Sequence, residues 1–168
     1  IILVAFILTK SLQMINSQEL TSGIDYRINN THDTEFFSNI STIDTLIPKS
    51  LAVFGPDNNY GPNFILSKET PIDLLYSIKV TQDVLFDQNV TSAKLVLSIS
   101  GTGKSNVYQT QQLNFESGIW CSTTSFFNLN TENLKQDSTS ILKIYILKKG
   151  GVAYVDEMNI TANYKKTS

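Results

Sequence analysis

Apolar and polar positions alternate with a period of two through most of this chain. Ile72, Leu74, Tyr76, Ile78 and Val80 alternate with Asp73, Leu75, Ser77 and Lys79, and Leu95, Leu97 and Ile99 alternate with Lys94, Val96 and Ser98. Leu142, Ile144 and Ile146 do the same against Lys143, Tyr145 and Leu147, and the pattern resumes from Val152 to Tyr164. Val107–Phe115 and Ile119–Leu129 are two more strand-like runs, joined by Glu116, Ser117 and Gly118. Successive side chains of a strand point to opposite faces, so this period predicts half-buried strands; no long helical period occurs. Lys148-Lys149-Gly150-Gly151 between two β-rich runs predicts a hairpin, because glycine accepts the positive φ of tight hairpin turns. Pro48, Pro56, Pro62 and Pro71 fall at or before strand edges, where a missing N–H does no harm. Seven to nine short strands at this spacing predict an all-β fold, a single antiparallel β-sandwich over residues 36–165.

Residues before this body read differently. Ile1 to Leu8 is an unbroken apolar run that continues weakly to Ile15 before the chain turns polar. Its length suits the apolar core of a secretory signal and is short of the roughly 20 residues of a membrane span. Two alternatives stay open for residues 1–18, the end of a membrane helix and a buried strand. Residues 19–35 are polar and poorly patterned, which suggests a linker into the first strand. Export is the expectation: a secreted, periplasmic or cell-surface protein.

Composition narrows the chemistry. The 168 residues suffice for one domain that buries a sizeable core. Charged residues are only 17%, against roughly 25% in ordinary soluble domains, and 18 Ser, 17 Thr and 15 Asn fill the gap. A formal net charge of −2 argues against a nucleic-acid surface, which needs clustered Lys and Arg. One cysteine excludes an internal disulfide and any zinc site with two thiolates. Gly101-Thr102-Gly103-Lys104-Ser105 resembles the end of a phosphate-binding loop, but Ser98 stands where that loop needs glycine and a strand-like run follows where it needs a helix, so a turn is expected. Cys121 lacks a partner base, because the one histidine, His32, lies in the polar N-terminal segment; a buried, inert thiol is the reading. Asp156 and Glu157, adjacent on a strand, should face opposite ways and cannot act together on one bond, so catalysis is not expected.

Aromatic rings are the more informative set, since flat sugar faces stack on them. Tyr60 lies in the loop Phe54–Phe64 beside Asn58 and Asn59, whose amides suit hydroxyl groups. Tyr108, Thr110, Gln112 and Asn114 share one polar face of their strand, and Tyr145 and Phe126 are further candidate rings. For Trp120 a place in the core competes with a stacking role and is favoured, and for Tyr60 the two readings are equal.

Ser50-Leu51-Ala52-Val53-Phe54 followed by Asn59-Tyr60-Gly61-Pro62-Asn63-Phe64, then Leu75–Val80 and Ala93–Ile99, is similar to the opening strands of a jelly-roll domain frequent in exported Bacteroidota proteins. Gly118-Ile119-Trp120 and the closing Leu142–Leu147, Gly150-Gly151 and Val152–Met158 resemble the later strands of carbohydrate-binding-module and galactose-binding-like jelly rolls. The resemblance spans about Ser50 to Ile160. It implies a non-catalytic sandwich that binds a glycan or polysaccharide; the ring and amide positions above make Tyr60, Asn58, Asn59, Tyr108, Gln112, Trp120 and Tyr145 the ligand-binding candidates. It also implies a structural calcium ion (Ca2+) held by Asp156, with Glu35 as a partner and Asp33 nearby; calcium takes six to eight oxygens. Ile146-Leu147-Lys148 departs from the family's polar turn, and the single tryptophan is fewer than such modules usually carry. The other reading is an accessory domain without sugar affinity, whose partners are cell-envelope proteins.

Overall fold

The structure, a computed structural model, describes residues 22–28, 37–38, 52–66, 72–101, 107–129 and 140–165. The apolar start at 1–18, His32, Asp33, Glu35 and most of the glycine-lysine turn at 101–105 lie outside them.

The strands are β1 (Ser22–Ile28), β2 (Phe37–Ser38), β3 (Ala52–Phe54), β4 (Tyr60–Leu66), β5 (Leu75–Phe86), β6 (Ser92–Ser100), β7 (Val107–Gln112), β8 (Cys121–Asn128), β9 (Ile141–Lys149) and β10 (Ala153–Tyr164). They form two five-stranded sheets. One runs β1-β10-β5-β8, with β3 also pairing β10, and the other runs β2-β4-β9-β6-β7. Every pairing among the described residues is antiparallel. The expected all-β antiparallel sandwich is therefore the architecture. Its core forms where the inward sets meet: Phe64, Leu95, Leu97, Ile99, Leu142, Ile144 and Ile146 from one sheet against Ile78, Val80, Val84, Phe86, Phe127, Met158 and Ile160 from the other. Each such side chain contributes roughly 1.5–3 kcal/mol on leaving water.

Four local readings change. Ser22–Ile28, within the stretch read as a linker, is a strand paired with β10 from Ser22↔Tyr164 to Ile28↔Met158. The expected Lys148–Gly151 hairpin is absent, because β9 and β10 belong to different sheets. Gly150 (φ 77°) and Gly151 (φ 52°) carry the chain across the end of the sandwich, which uses the same glycine freedom for a crossover. Likewise β7 and β8 lie in different sheets, so the turn at Glu116–Gly118 is also a crossover. Finally, bulges reset the alternation. β5 advances from Leu75 to Ser77 while β10 steps only from Tyr164 to Asn163, which buries Leu75 and exposes Tyr76. In β10 the two residues between Val155 and Met158, Asp156 and Glu157, oppose the single Asp83 of β5, so Val155 and Met158 are buried while Asp156 and Glu157 are not; they do not split between core and solvent.

Side chains close one lateral seam of the sandwich. The Gln111 amide on β7 donates through Nε2 to the Phe126 carbonyl on β8 and accepts the Phe126 N–H at 3.3 Å. Gln109 Nε2 donates to the Asn128 carbonyl at 3.0 Å. An amide that both gives and receives in this way satisfies backbone groups as a neighbouring strand would.

Candidate functional site

Odd-numbered residues of β9, even-numbered residues of β6 and β7, and Tyr60 and Asn63 of β4 make the outer face of the second sheet. Register sets neighbours across it. Tyr145 lies opposite Asn63 on β4 and Val96 on β6, and Val96 lies opposite Thr110; one row along, Lys143 lies opposite Ser98, and Ser98 opposite Tyr108. Val96 is fully buried although it belongs to the outer face, so it is a floor under the polar and aromatic side chains around it.

A depression of about 400 Å³ opens here, lined by Asn58, Tyr60, Asn63, Ser98, Ser100, Lys143 and Tyr145. That volume falls within the range of small-ligand sites. The rings of Tyr60 and Tyr145 meet at 5.8 Å between centroids with planes inclined at 56°, a tilted pair that offers two differently oriented aromatic surfaces. Tyr60 is 53% exposed and Tyr108 60% exposed, so both rings are available to a ligand. Burial raises the Tyr145 phenol above its ordinary pKa of 10.0, and a hydrogen bond and charge repulsion from Tyr108, then repulsion from Tyr60, push the same way. The three tyrosines are thus one coupled cluster.

The rim that carries Asn58 and Tyr60 is fixed from below. The Asn58 side chain accepts the Tyr60 N–H at 3.1 Å, and the Asn58 N–H donates to the Gly55 carbonyl at 3.1 Å, closing the turn. Lys148 anchors that turn from the core side of β9. Its N–H donates to the Asn59 carbonyl at 2.9 Å, and its ammonium donates to the carbonyls of Gly55 (2.9 Å), Gly150 (3.0 Å) and Gly151 (2.7 Å). The ammonium also lies 5.3 Å from the Phe54 ring centroid. Lys148 is only 2% exposed, and its desolvation lowers its pKa, partly opposed by Asp87 and Asp57. The β4 bulge between Tyr60 and Asn63 completes the rim. A Cβ on Gly61 would stand 3.0 Å from the Phe54 ring, so glycine lets the rim pack against β3.

Raised ionisation of Tyr145 is directly measurable. The folded protein should keep one phenol protonated above pH 10, seen as a late step in absorbance at 295 nm that Tyr145→Phe abolishes. Because the folded pKa is raised, the native state holds a proton that the unfolded chain has released. The stabilisation this gives is complete below the ordinary tyrosine pKa and is lost as pH rises through the folded one. A single step at the ordinary value, unchanged in the variant, would contradict the coupled cluster.

Of the residues expected to bind ligand, Tyr60, Asn58 and Tyr145 line the depression, and Tyr108 and Gln112 are exposed on the same face. Asn59 is exposed on the rim but contributes its carbonyl to Lys148. Trp120 is not brought to this face. It precedes β8 in the opposite sheet, and at 37% exposed it is not the core residue that was favoured either; the turn at Gly118 (φ 78°), whose N–H donates to the Phe86 carbonyl, holds it outside. Phe126 is exposed on the other sheet, 5.9 Å from the Lys79 ammonium. Cys121 is only half-buried, with its thiol directed at the Ile119 carbonyl at 3.5 Å. Asn63, Ser98, Ser100 and Lys143 were not singled out, although Ser98 and Lys143 each sit between apolar residues whose inward direction already sets theirs.

A second depression, about 320 Å³, lies on the other sheet between Thr81, Asp83, Ser122, Thr124, Glu157 and Asn159, with no aromatic ring in its lining. Asp156 is half-buried at the β10 bulge nearby, and Glu35, its expected calcium partner, lies outside the described residues. Among the described residues no three His, Cys, Asp or Glu side chains gather into a set that could hold a metal ion.

No protein-family model matches the sequence, and no curated protein matches it. Among solved structures, the chain is similar to the xylan-binding module CBM15, with a TM-score of 0.54 and 10% identity over 86% of this chain and 100% of that one. It is similar to the CBM22-1 xylan-binding domain of Paenibacillus barcinonensis Xyn10C, with a TM-score of 0.50 and 10% identity over 90% of this chain and 100% of that one. A xylanase 10C mutant from Cellvibrio japonicus in complex with xylopentaose gives a TM-score of 0.50 and 12% identity over 83% of this chain but only 28% of its own. At these identities the likeness establishes the fold: the β-sandwich is that of a carbohydrate-binding-module jelly roll.

Proposed function

We propose that this protein is a non-catalytic carbohydrate-binding module, working outside the cytoplasm, that holds a polysaccharide against the tyrosine-lined face of its second sheet. One observation carries the reading: Tyr60, Tyr108 and Tyr145, from three different strands, stand on one exposed face around a depression whose remaining lining is amide, hydroxyl and one ammonium. Rings present flat apolar surface to the C–H faces of sugars, while Asn58, Asn63, Ser98 and Ser100 can exchange hydrogen bonds with hydroxyl groups. The likeness of fold to modules described as xylan-binding supports the same class of ligand. Open polar grooves of this kind bind weakly, because each hydroxyl contact replaces a comparable contact with water.

The test is binding of the purified chain to a panel of immobilised and soluble polysaccharides that includes xylan and galactan. Retention on at least one polymer is expected. Tyr145→Ala should weaken it about tenfold or more, roughly the 1.4 kcal/mol that one lost ring contact supplies, with an unchanged circular dichroism spectrum. Trp120→Ala, away from this face, should leave affinity intact. A folded protein that binds no polymer would sink this reading and favour the accessory domain that docks envelope proteins.

A further inference from the structure

On the tyrosine face every charged residue among the described ones is a lysine. Lys143 lines the depression, opposite Ser98 and one row from Tyr145. Lys94, opposite Leu147 and Gln112, and Lys149, opposite Ser92, follow along the same face. No Asp or Glu occurs at the outward positions of β4, β6, β7 or β9. Asp57, on the rim turn, acts electrostatically on Lys148. This bias opposes the chain as a whole, whose formal net charge is −2, and contrasts with the other outer face, where Asp83 and Glu157 border the second depression. A neutral sugar polymer offers an ammonium group only hydroxyl acceptors, for which water competes. An acidic substituent does, because a hydrogen bond between ionised partners is stronger than one between neutral groups.

Resting on the carbohydrate-binding reading above, we propose that the groove selects an acidic polysaccharide, one whose sugars carry carboxylate or sulfate groups, and that Lys143 pairs with the acidic group while Tyr60 and Tyr145 hold the ring beside it. Lysine is a compact point charge without the fork of arginine, so the two acids share the chemistry that it recognises. Strand geometry puts Lys94 roughly 14 Å from Lys143 between Cα atoms, too far to meet the same group and placed to meet another further along the polymer.

Matched polymers test this. Calorimetry at low ionic strength would compare glucuronoxylan with the same polymer after carboxyl reduction, polygalacturonate with its carboxyl-reduced galactan, and sulfated xylan with xylan. An acidic form should bind about three- to tenfold more tightly than its neutral counterpart, and the difference should shrink in high salt. Lys143→Gln should remove most of that preference, so that the variant binds the acidic and neutral forms with similar affinity, and Lys143→Arg should retain it. The relative strength of the carboxylate and sulfate arms identifies the acid. Equal binding of acidic and neutral forms would overturn this inference and leave the carbohydrate-binding reading standing. A preference that survives Lys143→Gln would overturn the assignment to Lys143. Binding to none of the polymers would overturn both readings together.

Discussion

Replacing Lys148 with Met should lower the unfolding free energy by about 3 kcal/mol, a drop of roughly 6–12 °C in Tm for a domain of this size. The Met side chain has similar reach and apolar bulk but no donor. The carbonyls of Gly55, Gly150 and Gly151 would each lose the ammonium that now satisfies them at 2.7–3.0 Å. A buried acceptor left unsatisfied costs about 1–3 kcal/mol, which for three would exceed the expected loss. Three effects reduce the sum: the variant no longer desolvates a charge, the Gly55 carbonyl keeps the Asn58 N–H as a donor, and Gly55 and Gly150 are only half-buried, so water can reach them. The same contacts tie the rim turn to the crossover, so the variant should also bind polysaccharide less well even where it is fully folded. Denaturant unfolding settles the first point, and a loss below 1 kcal/mol would show that the three carbonyls do not depend on the ammonium. Alkaline titration gives a second check. The lowered folded pKa means that the unfolded chain binds the extra proton just below 10.5, so Lys148 makes stability rise with pH across that window, and Lys148→Met should lack that rise.

Gly151→Val should be of comparable size, about 3–5 kcal/mol, for a different reason. At φ 52° a side chain costs about 1–2 kcal/mol from backbone conformation alone. Any Cβ there would also collide with the Asp87 carboxylate and stand 2.6 Å from the Val90 backbone nitrogen, so the β5–β6 turn must move. That turn is itself held, with the Val90 N–H on the Asp87 carbonyl at 3.2 Å and the Asn89 N–H on the Asp87 side chain at 2.9 Å. Gly118→Ala is the control. Its φ of 78° is equally unfavourable, but nothing lies within 4 Å of the added atom, so it should cost only the conformational part. Equal losses at Gly118 and Gly151 in urea unfolding would mean that crowding at the crossover is unimportant. Because Lys148 grips the Gly151 carbonyl, the double variant should lose less than the two single losses combined.

Legibility in the sequence followed the regularity of each strand. Leu95, Leu97 and Ile99, like Leu142, Ile144 and Ile146, obey the period without interruption, and all are fully buried as their alternation requires. The bulges at Tyr76 and at Asp156–Glu157 are invisible to periodicity, since an inserted residue changes which face follows it without altering composition. β1 carries only Ile24, Tyr26 and Ile28 as a pattern, too short to stand out from a polar segment, and its place beside β10 is a long-range pairing. The two glycine-bearing turns were legible as turns but not as crossovers, because local sequence fixes the bend and the partner sheet fixes where the chain goes next. The site was legible in part for the same reason. Tyr60, Tyr108 and Tyr145 stood out individually, yet their convergence depends on the register of β4, β9, β6 and β7. Trp120 stood out just as clearly and belongs elsewhere, since residue type marks a stacking group without saying which face will carry it.

The seam between β7 and β8 bears on how such a molecule survives in company. Edge strands of β-rich proteins invite pairing from other chains and so seed aggregation. Here the amide of Gln111 occupies both the N–H and the carbonyl of Phe126, and Gln109 takes the carbonyl of Asn128, so an incoming strand would have to displace these bonds to pair with this end of β8. Two glutamines thereby stand between this end of β8 and a strand of another copy, a protection of most value if, as proposed above, many copies gather along one polymer.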